Sequence, residues 1–198
     1  FQGANGKLNP EAPITREEAF VVLARAFALE SGDTSVLNHY TDGASVSAWA
    51  QSSVAALIEN GYVNGANGKL NPKTSITRAE FAAIAARFDD KNTDTSSKFT
   101  DIASHWAKNE IGIAANKGWI NGYPDGTFRP NQYITRAEAM TLVNRVLNRL
   151  PENSSDLLDS MIKWPDNSDA SQWFYLAVQE ATNSHYYKTK ENKFEKWT

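Results

Sequence analysis

The tripeptide Ile-Thr-Arg occurs at residues 14–16, 76–78 and 134–136, at intervals of 62 and 58 residues, so the chain must build one supersecondary unit more than once. In each copy the threonine stands three residues before a glutamate: Glu18, Glu80 or Glu138. That is the capping-box spacing, in which a hydroxyl meets a backbone N–H and the carboxylate reaches back to the cap. The arginine between them does not follow from helix physics, because the first helical turn carries partial positive charge and favours acids. A guanidinium beside unpaired N–H groups would form an anion site. Arg16, Arg78 and Arg136 are therefore candidate ligands for a carboxylate or phosphate. The structural alternative pairs them with Asp42, Asp101 and Asp166.

More of the unit recurs than the tripeptide. Gly3-Ala4-Asn5-Gly6-Lys7-Leu8-Asn9-Pro10 returns unchanged at 65–72, and Gly122-Tyr123-Pro124-Asp125-Gly126-Thr127-Phe128-Arg129-Pro130 holds the same place in a third copy. Asn-Gly and Asp-Gly are turn dipeptides, so a tight turn and a short extended run precede each capped helix. Upstream, Tyr40-Thr41-Asp42 leads to Trp49-Ala50, Phe99-Thr100-Asp101 to Trp106-Ala107, and Trp164-Pro165-Asp166 to Trp173-Phe174. Apolar residues recur at helical spacing behind each tryptophan, as in Val54, Leu57, Ile58 and in Ile111, Ala114, Ala115. The second helices carry Phe20, Leu23, Phe27, then Phe81, Ile84, Phe88, then Met140, Val143, Val146, Leu147 on one face.

These features predict an all-α fold of helix, turn-rich loop and helix. Residues 1–30 form the second half of a unit, 40–88 and 99–150 are complete units, and 164–198 is the first half of a degenerate one. Three helix pairs result. Either a further half unit precedes the first residue, or the two terminal halves complete one another; apolar repeat faces need a neighbour to bury against, which favours the second. After Trp173, residues 181–198 have neither the Asp-Gly-Thr-Phe turn nor the Thr-Arg-Ala-Glu start, so Tyr186, Tyr187, Lys188 and Lys190 form an altered groove or a closing cap.

The 198 residues suffice for a core without staples, and the absence of cysteine removes disulfides and thiolate metal sites. A net charge of −3 argues against a nucleic-acid partner, and no apolar run is long enough to span a bilayer. Trp49, Trp106 and Trp173, each leading an amphipathic helix, read first as core anchors, with stacking on a sugar ring as the functional alternative. Tyr62 and Tyr123 stand next to the turns and could line a cleft. His39, His105 and His185 fit no metal-binding spacing, and no catalytic set recurs in every unit. Asp90, Asn92, Asp94 and Asp101 faintly resemble a calcium loop, but Thr95 replaces its turn glycine. No metal and no cofactor is expected.

The repeat resembles the S-layer homology family, whose units contain a Thr-Arg-Ala-Glu helix start. Residues 77–80 and 135–138 match that tetrapeptide fully, and Thr15-Arg16-Glu17-Glu18 departs at its third position. The resemblance covers nearly the whole chain. It implies a pseudo-threefold helical prism and a non-catalytic, extracellular cell-wall anchor of Gram-positive bacteria. The implied ligand is an anionic secondary cell-wall polysaccharide, often bearing pyruvyl ketals on N-acetylmannosamine, and a cargo domain upstream of this chain is expected. Arg16, Arg78 and Arg136, with Asp42, Asp101, Asp166, Trp49, Trp106, Trp173, Gly65, Gly122 and Tyr123, would be the groove residues. Unequal grooves are expected, with Arg136 the strongest site. The alternatives are a protein–protein assembly module of a surface layer without sugar binding, or part of a wall-directed glycoside hydrolase.

Overall fold

A computed structural model describes residues 1–89, 91 and 93–198. Helices dominate: α1 (Arg16–Ala26), α2 (Gln51–Glu59), α3 (Arg78–Arg87), α4 (Lys108–Asn116), α5 (Arg136–Val146) and α6 (Tyr175–Thr182), with short 3-10 turns between them. The three capping boxes form as the spacing predicts. Thr15, Thr77 and Thr135 accept from the amides of Glu18, Glu80 and Glu138, whose carboxylates bond the threonine amides in return. The opposite ends stop for an equally local reason. Gly61 and Gly118 take left-handed φ values of 73° and 71° just past α2 and α4, and Ala28 and Asn148 do the same past α1 and α5.

The chain folds as two compact units, Pro13–Ile134 and the joined segments Phe1–Ala12 and Thr135–Thr198. In the first unit α1 packs on α2, α3 on α4, and α1 also touches α3. Its core takes Phe20, Leu23, Val54, Leu57, Leu70, Phe81 and Ile111, all fully buried. Ile14, Ile76 and Ile134, the first residues of the repeated tripeptides, are buried and hydrogen-bonded head to tail. The amide of Ile14 donates to Ile134, Ile76 to Ile14, and Ile134 to Ile76, at 3.1–3.3 Å. Three equivalent backbone positions thus close a ring.

In the second unit α5 packs on α6 around Leu8, Ala137, Met140, Phe174 and Val178, with Phe1, Trp164 and Ala181 against them. Leu8 comes from the opposite end of the sequence to Phe174. The expected helical face overreached at its ends: Phe27, Phe88 and Leu147 are cap residues beyond the helices, and Leu147 is exposed. Phe27 and Phe88 instead stack on each other at 3.8 Å, with Tyr62 on the other ring of the pair at 3.9 Å.

The tail is the departure from helix. Tyr187–Thr189 (β1) and Glu195–Trp197 (β2) form an antiparallel hairpin, pairing Tyr187 with Trp197. Alternation explains it: on β2, Glu195 and Trp197 point inward and are buried while Lys196 is exposed. Its edge joins the rest of the unit through the Glu195 amide, which donates to the Leu150 carbonyl.

Candidate functional site

Each repeat carries the same small device, made of one aspartate, one arginine and a loop. The aspartate of the Tyr/Phe/Trp-x-Asp motif accepts two successive amides of the loop. Asp42 takes those of Leu70 and Asn71, both at 2.8 Å; Asp101 takes Phe128 and Arg129, both at 2.8 Å; Asp166 takes Leu8 and Asn9, at 3.0 and 2.7 Å. Burial pushes the Asp42 and Asp166 carboxyls up, but these amide donors prevail and hold both below the usual range. The residue that donates the second amide is in the left-handed region: Asn9, Asn71 and Arg129 have φ of 54°, 51° and 58°. The aspartate grips the amides just before this kink.

The arginine holds the same loop from the other side. The Nε of Arg16 donates to the Leu70 carbonyl, that of Arg78 to Phe128 and that of Arg136 to Leu8, at 2.8–2.9 Å. Arg78 also bonds the Asn121 carbonyl and Arg136 the Gln2 carbonyl, positions that precede Gly122 and Gly3. Arg16 forms an ion pair with Glu80 at 2.6 Å. Arg78 is only 7% exposed and lies over the rings of Tyr123 and Phe128 at 5.0 and 4.7 Å; Arg129 stacks on the same tyrosine.

This arrangement corrects two expectations. The helix-start amides are not open to an anion: those of Arg16 and Glu17 donate to Thr74 and Pro72, of Arg78 and Ala79 to Gln132 and Pro130, and of Arg136 and Ala137 to Ala12 and Pro10. The arginine is tolerated there because backbone carbonyls converge on the helix start and offset its charge. The proposed structural pairing with Asp42, Asp101 and Asp166 fails too, since those carboxylates serve the loop amides.

The tryptophans reverse the first reading as well. Trp49, Trp106 and Trp173 are 54, 61 and 64% exposed, so they are not core anchors. Each precedes its helix rather than lying on the inward face, and Ala50, Ala107 and Phe174 next to them take the buried position. Gly65 and Gly122 have a steric reason: a Cβ there would stand 2.8 Å from the ring of Tyr40 and 2.3 Å from that of Phe99. Gly3 meets Trp164 in the same way.

One cluster escaped sequence reasoning. Glu180, His185 and Glu195 bring their ligand atoms within 4.8 Å of one another. The guanidinium of Arg149 reaches both carboxylates, at 3.0 and 2.8 Å, and the Trp197 indole donates to Glu180. Because Arg149 supplies the compensating positive charge, the trio is a structural network. No spacing motif announces it. Asp90 and Asn92 of the calcium-like run lie outside the described residues, while Asp94 binds the amide and hydroxyl of Ser96.

Residues 39–82 and 98–140 match the S-layer homology domain; the first stretch contains Asp42 with its loop and Arg78, the second Asp101 with its loop and Arg136. The chain belongs to the S-layer homology family. It is 34% identical over 195 residues to a cellulosome-anchoring protein of Acetivibrio thermocellus, covering 94% of this chain and 42% of that protein. Cell surface glycoprotein 1 of the same organism is 34% identical over 203 residues, covering 96% of this chain and 8% of its own length. The middle cell wall protein of Brevibacillus brevis is 28% identical over 181 residues, 88% of this chain and 17% of that protein. The chain thus spans less than half of each of these relatives. Family and relatives place it outside the membrane, at the cell surface, and no helix among the described residues is long and apolar enough to cross a bilayer.

Proposed function

We propose that this chain is a non-catalytic cell-wall-anchoring module that holds secondary cell-wall polysaccharide in grooves beside its three loops, as one part of a longer surface protein that carries its cargo elsewhere. The observation that carries this reading is the exposure of Trp49, Trp106 and Trp173 at equivalent positions of three repeats. An indole in water gives up burial that packing would otherwise exploit, and its flat face suits the apolar side of a sugar ring. Asp42, Asp101 and Asp166 shape the loops, and Gly65 and Gly122 let the loops lie flat. Arg16, Arg78 and Arg136, with Tyr123 beside Arg78, combine loop support with positive charge suited to a carboxylate such as a pyruvyl ketal on N-acetylmannosamine. The engagement of Asp166 by Leu8 and Asn9 supports a reading in which the terminal half-repeats complete one another.

Sedimentation with peptidoglycan sacculi tests the reading. The chain is expected to pellet with sacculi that retain their polysaccharide and to stay in solution with acid-stripped ones. Exchanging all three tryptophans for alanine should weaken pelleting by about tenfold or more, while each exposed site changes stability by only about 0.5 kcal/mol. Unchanged pelleting of that triple variant would sink the groove mechanism.

A surface-layer assembly role draws on a different observation, the exposure of Ile162 and Tyr186 on the C-terminal part together with the internal pairing of Arg16. It predicts concentration-dependent association in sedimentation velocity and no response to stripping the sacculi.

A further inference from the structure

The residue after the loop proline differs among the repeats: Lys73, Asn131 and Glu11. Lys73 donates to Glu17 and to Ser47, which lies two residues before Trp49. Asn131 Oδ1 is 3.1 Å from Nε2 of His105, the residue before Trp106. The Glu11 side chain makes no hydrogen bond or ion pair among the described residues, and Gln172, the residue before Trp173, donates to Asp169 instead. A cavity of about 430 Å³ lies there, bordered by residues 9–12 of the loop and 165–174 of the turn. Among the described residues, then, two of the tryptophan turns are strapped to their loops at this position, one by an ion pair and one through an imidazole.

The bonds of the imidazole fix its protonation state. Nδ1 of His105 accepts from the Ala107 amide at 3.2 Å, so that nitrogen carries no proton and Nε2–H donates to Asn131. Ala107 is fully buried, and its amide has no backbone acceptor among the described residues. A second proton, on Nδ1, sets one N–H against another. The ring must then turn away, which leaves a buried amide unpaired and releases Asn131. The Trp106 indole rests beside that ring, with centroids 5.5 Å apart and planes at 35°. No charged side chain among the described residues pairs with His105. On its own turn Asp101 is engaged by the amides of Phe128 and Arg129, and Lys108 is exposed; on the loop Arg129 is paired with Asp125, and Tyr133 is exposed.

We propose that His105 is a positioning residue for the Trp106 groove: its neutral ring, bonded to Ala107 and Asn131, holds the indole in place for a wall sugar, and its protonation loosens that groove. The inference rests on the reading of the exposed tryptophans as sugar platforms, and makes one groove of the three responsive to acid. A platform fixed before the ligand arrives gives up less freedom on binding, so the strapped turn binds more tightly than the released one. Histidine is the side chain that ordinarily changes charge between about pH 5 and 8.

Binding isotherms on sacculi that retain their polysaccharide, measured with W49A/W173A, leave Trp106 as the one remaining platform. The affinity of this variant should fall about fivefold or more between about pH 8 and about pH 5.5, the scale of one lost hydrogen bond. In W49A/W173A/H105Q the new amide can donate to Asn131 but takes up no proton, so the affinity should be the same at both pH values. Both variants meet the same sacculi, so titration of the polymer cancels in the comparison. A fall of equal size in the two variants, or tighter binding in acid as an imidazolium facing an anion would give, overturns the proposal. So does failure of W49A/W173A to bind where the unaltered chain binds, since the Trp106 groove would then hold no polymer. The strap is also readable without sugar. Nitrogen NMR of the ligand-free chain should show the His105 ring as the Nε2–H form at about pH 8, with the protection factor of the Ala107 amide dropping by about pH 5.5. An Nδ1–H ring or constant protection overturns the inference whether or not the chain binds sacculi. Failure of the unaltered chain to pellet, with the ring behaving as expected, removes the anchoring reading and the sugar role built on it, and leaves the acid-sensitive strap in place.

Discussion

Glu180 and Glu195 share a hydrogen bond beneath Trp197, and their environment separates them. Burial, reinforced by the neighbouring Glu195, raises Glu180 to about 8; Glu195 is buried too, but hydrogen bonds from Glu180 and Arg149 hold it below the usual carboxylate range. An unfolded glutamate releases its proton near 4.5. Between that pH and about 8 the native state keeps a proton that the unfolded state has lost, so the Glu180 contribution to stability falls as pH rises through this window. Burial holds His185 low, with the opposite sign: below 6.5 the unfolded chain binds a proton that the fold refuses, and stability rises towards that pH. Glu180→Gln mimics the protonated acid and can still accept from Trp197. It should flatten the decline of Tm between pH 6.5 and 8, and an unchanged slope in thermal melts would refute the assignment. None of this was legible beforehand, because three residues spaced 5 and 10 apart acquire their pKa values from burial. The tryptophans show the same limit at this scale. Their type and place were readable, their exposure was not.

At the level of elements, the helices were readable because their starts are local. Thr77, Arg78 and Glu80 are near neighbours in sequence, and the box they form needs nothing else. Thr77→Ala should cost about 1 kcal/mol in denaturant unfolding. The loops are different. Asp101 is tied to amides 27 and 28 residues on, so Asp101→Ala strands two donors and should cost about 1–3 kcal/mol, at least as much as loss of the cap. Urea titrations of the two variants check the order; a smaller effect for Asp101 would mean that water replaces the carboxylate. Both aspartate and arginine were singled out from the sequence, but their shared partner, the loop backbone, was not. Backbone carbonyls and amides look alike in every sequence.

On the scale of the whole molecule, the N-terminal loop occupies in the unit of 1–12 and 135–198 the place that internal loops occupy elsewhere. Leu8 and Asn9 donate to Asp166 across a separation of about 160 residues, and Leu8 is buried against Met140 and Val178. Leu8→Ala should therefore destabilise by about 2–5 kcal/mol despite lying near the first residue, and should lower the protection of α5 and α6 amides in hydrogen exchange. A loss confined to residues 1–12 would show that the segment is dispensable. The sequence by itself determined the repeat, the three capped helices, the turns and the absence of thiol chemistry, because periodicity, capping and turn preferences act within a few residues. Only the tertiary structure decided that the helix-start amides are closed by backbone carbonyls, that the indoles face water and that the tail pairs as strands. Those outcomes depend on groups brought together from distant points in the chain, where burial and hydrogen bonding, not spacing, set the energy.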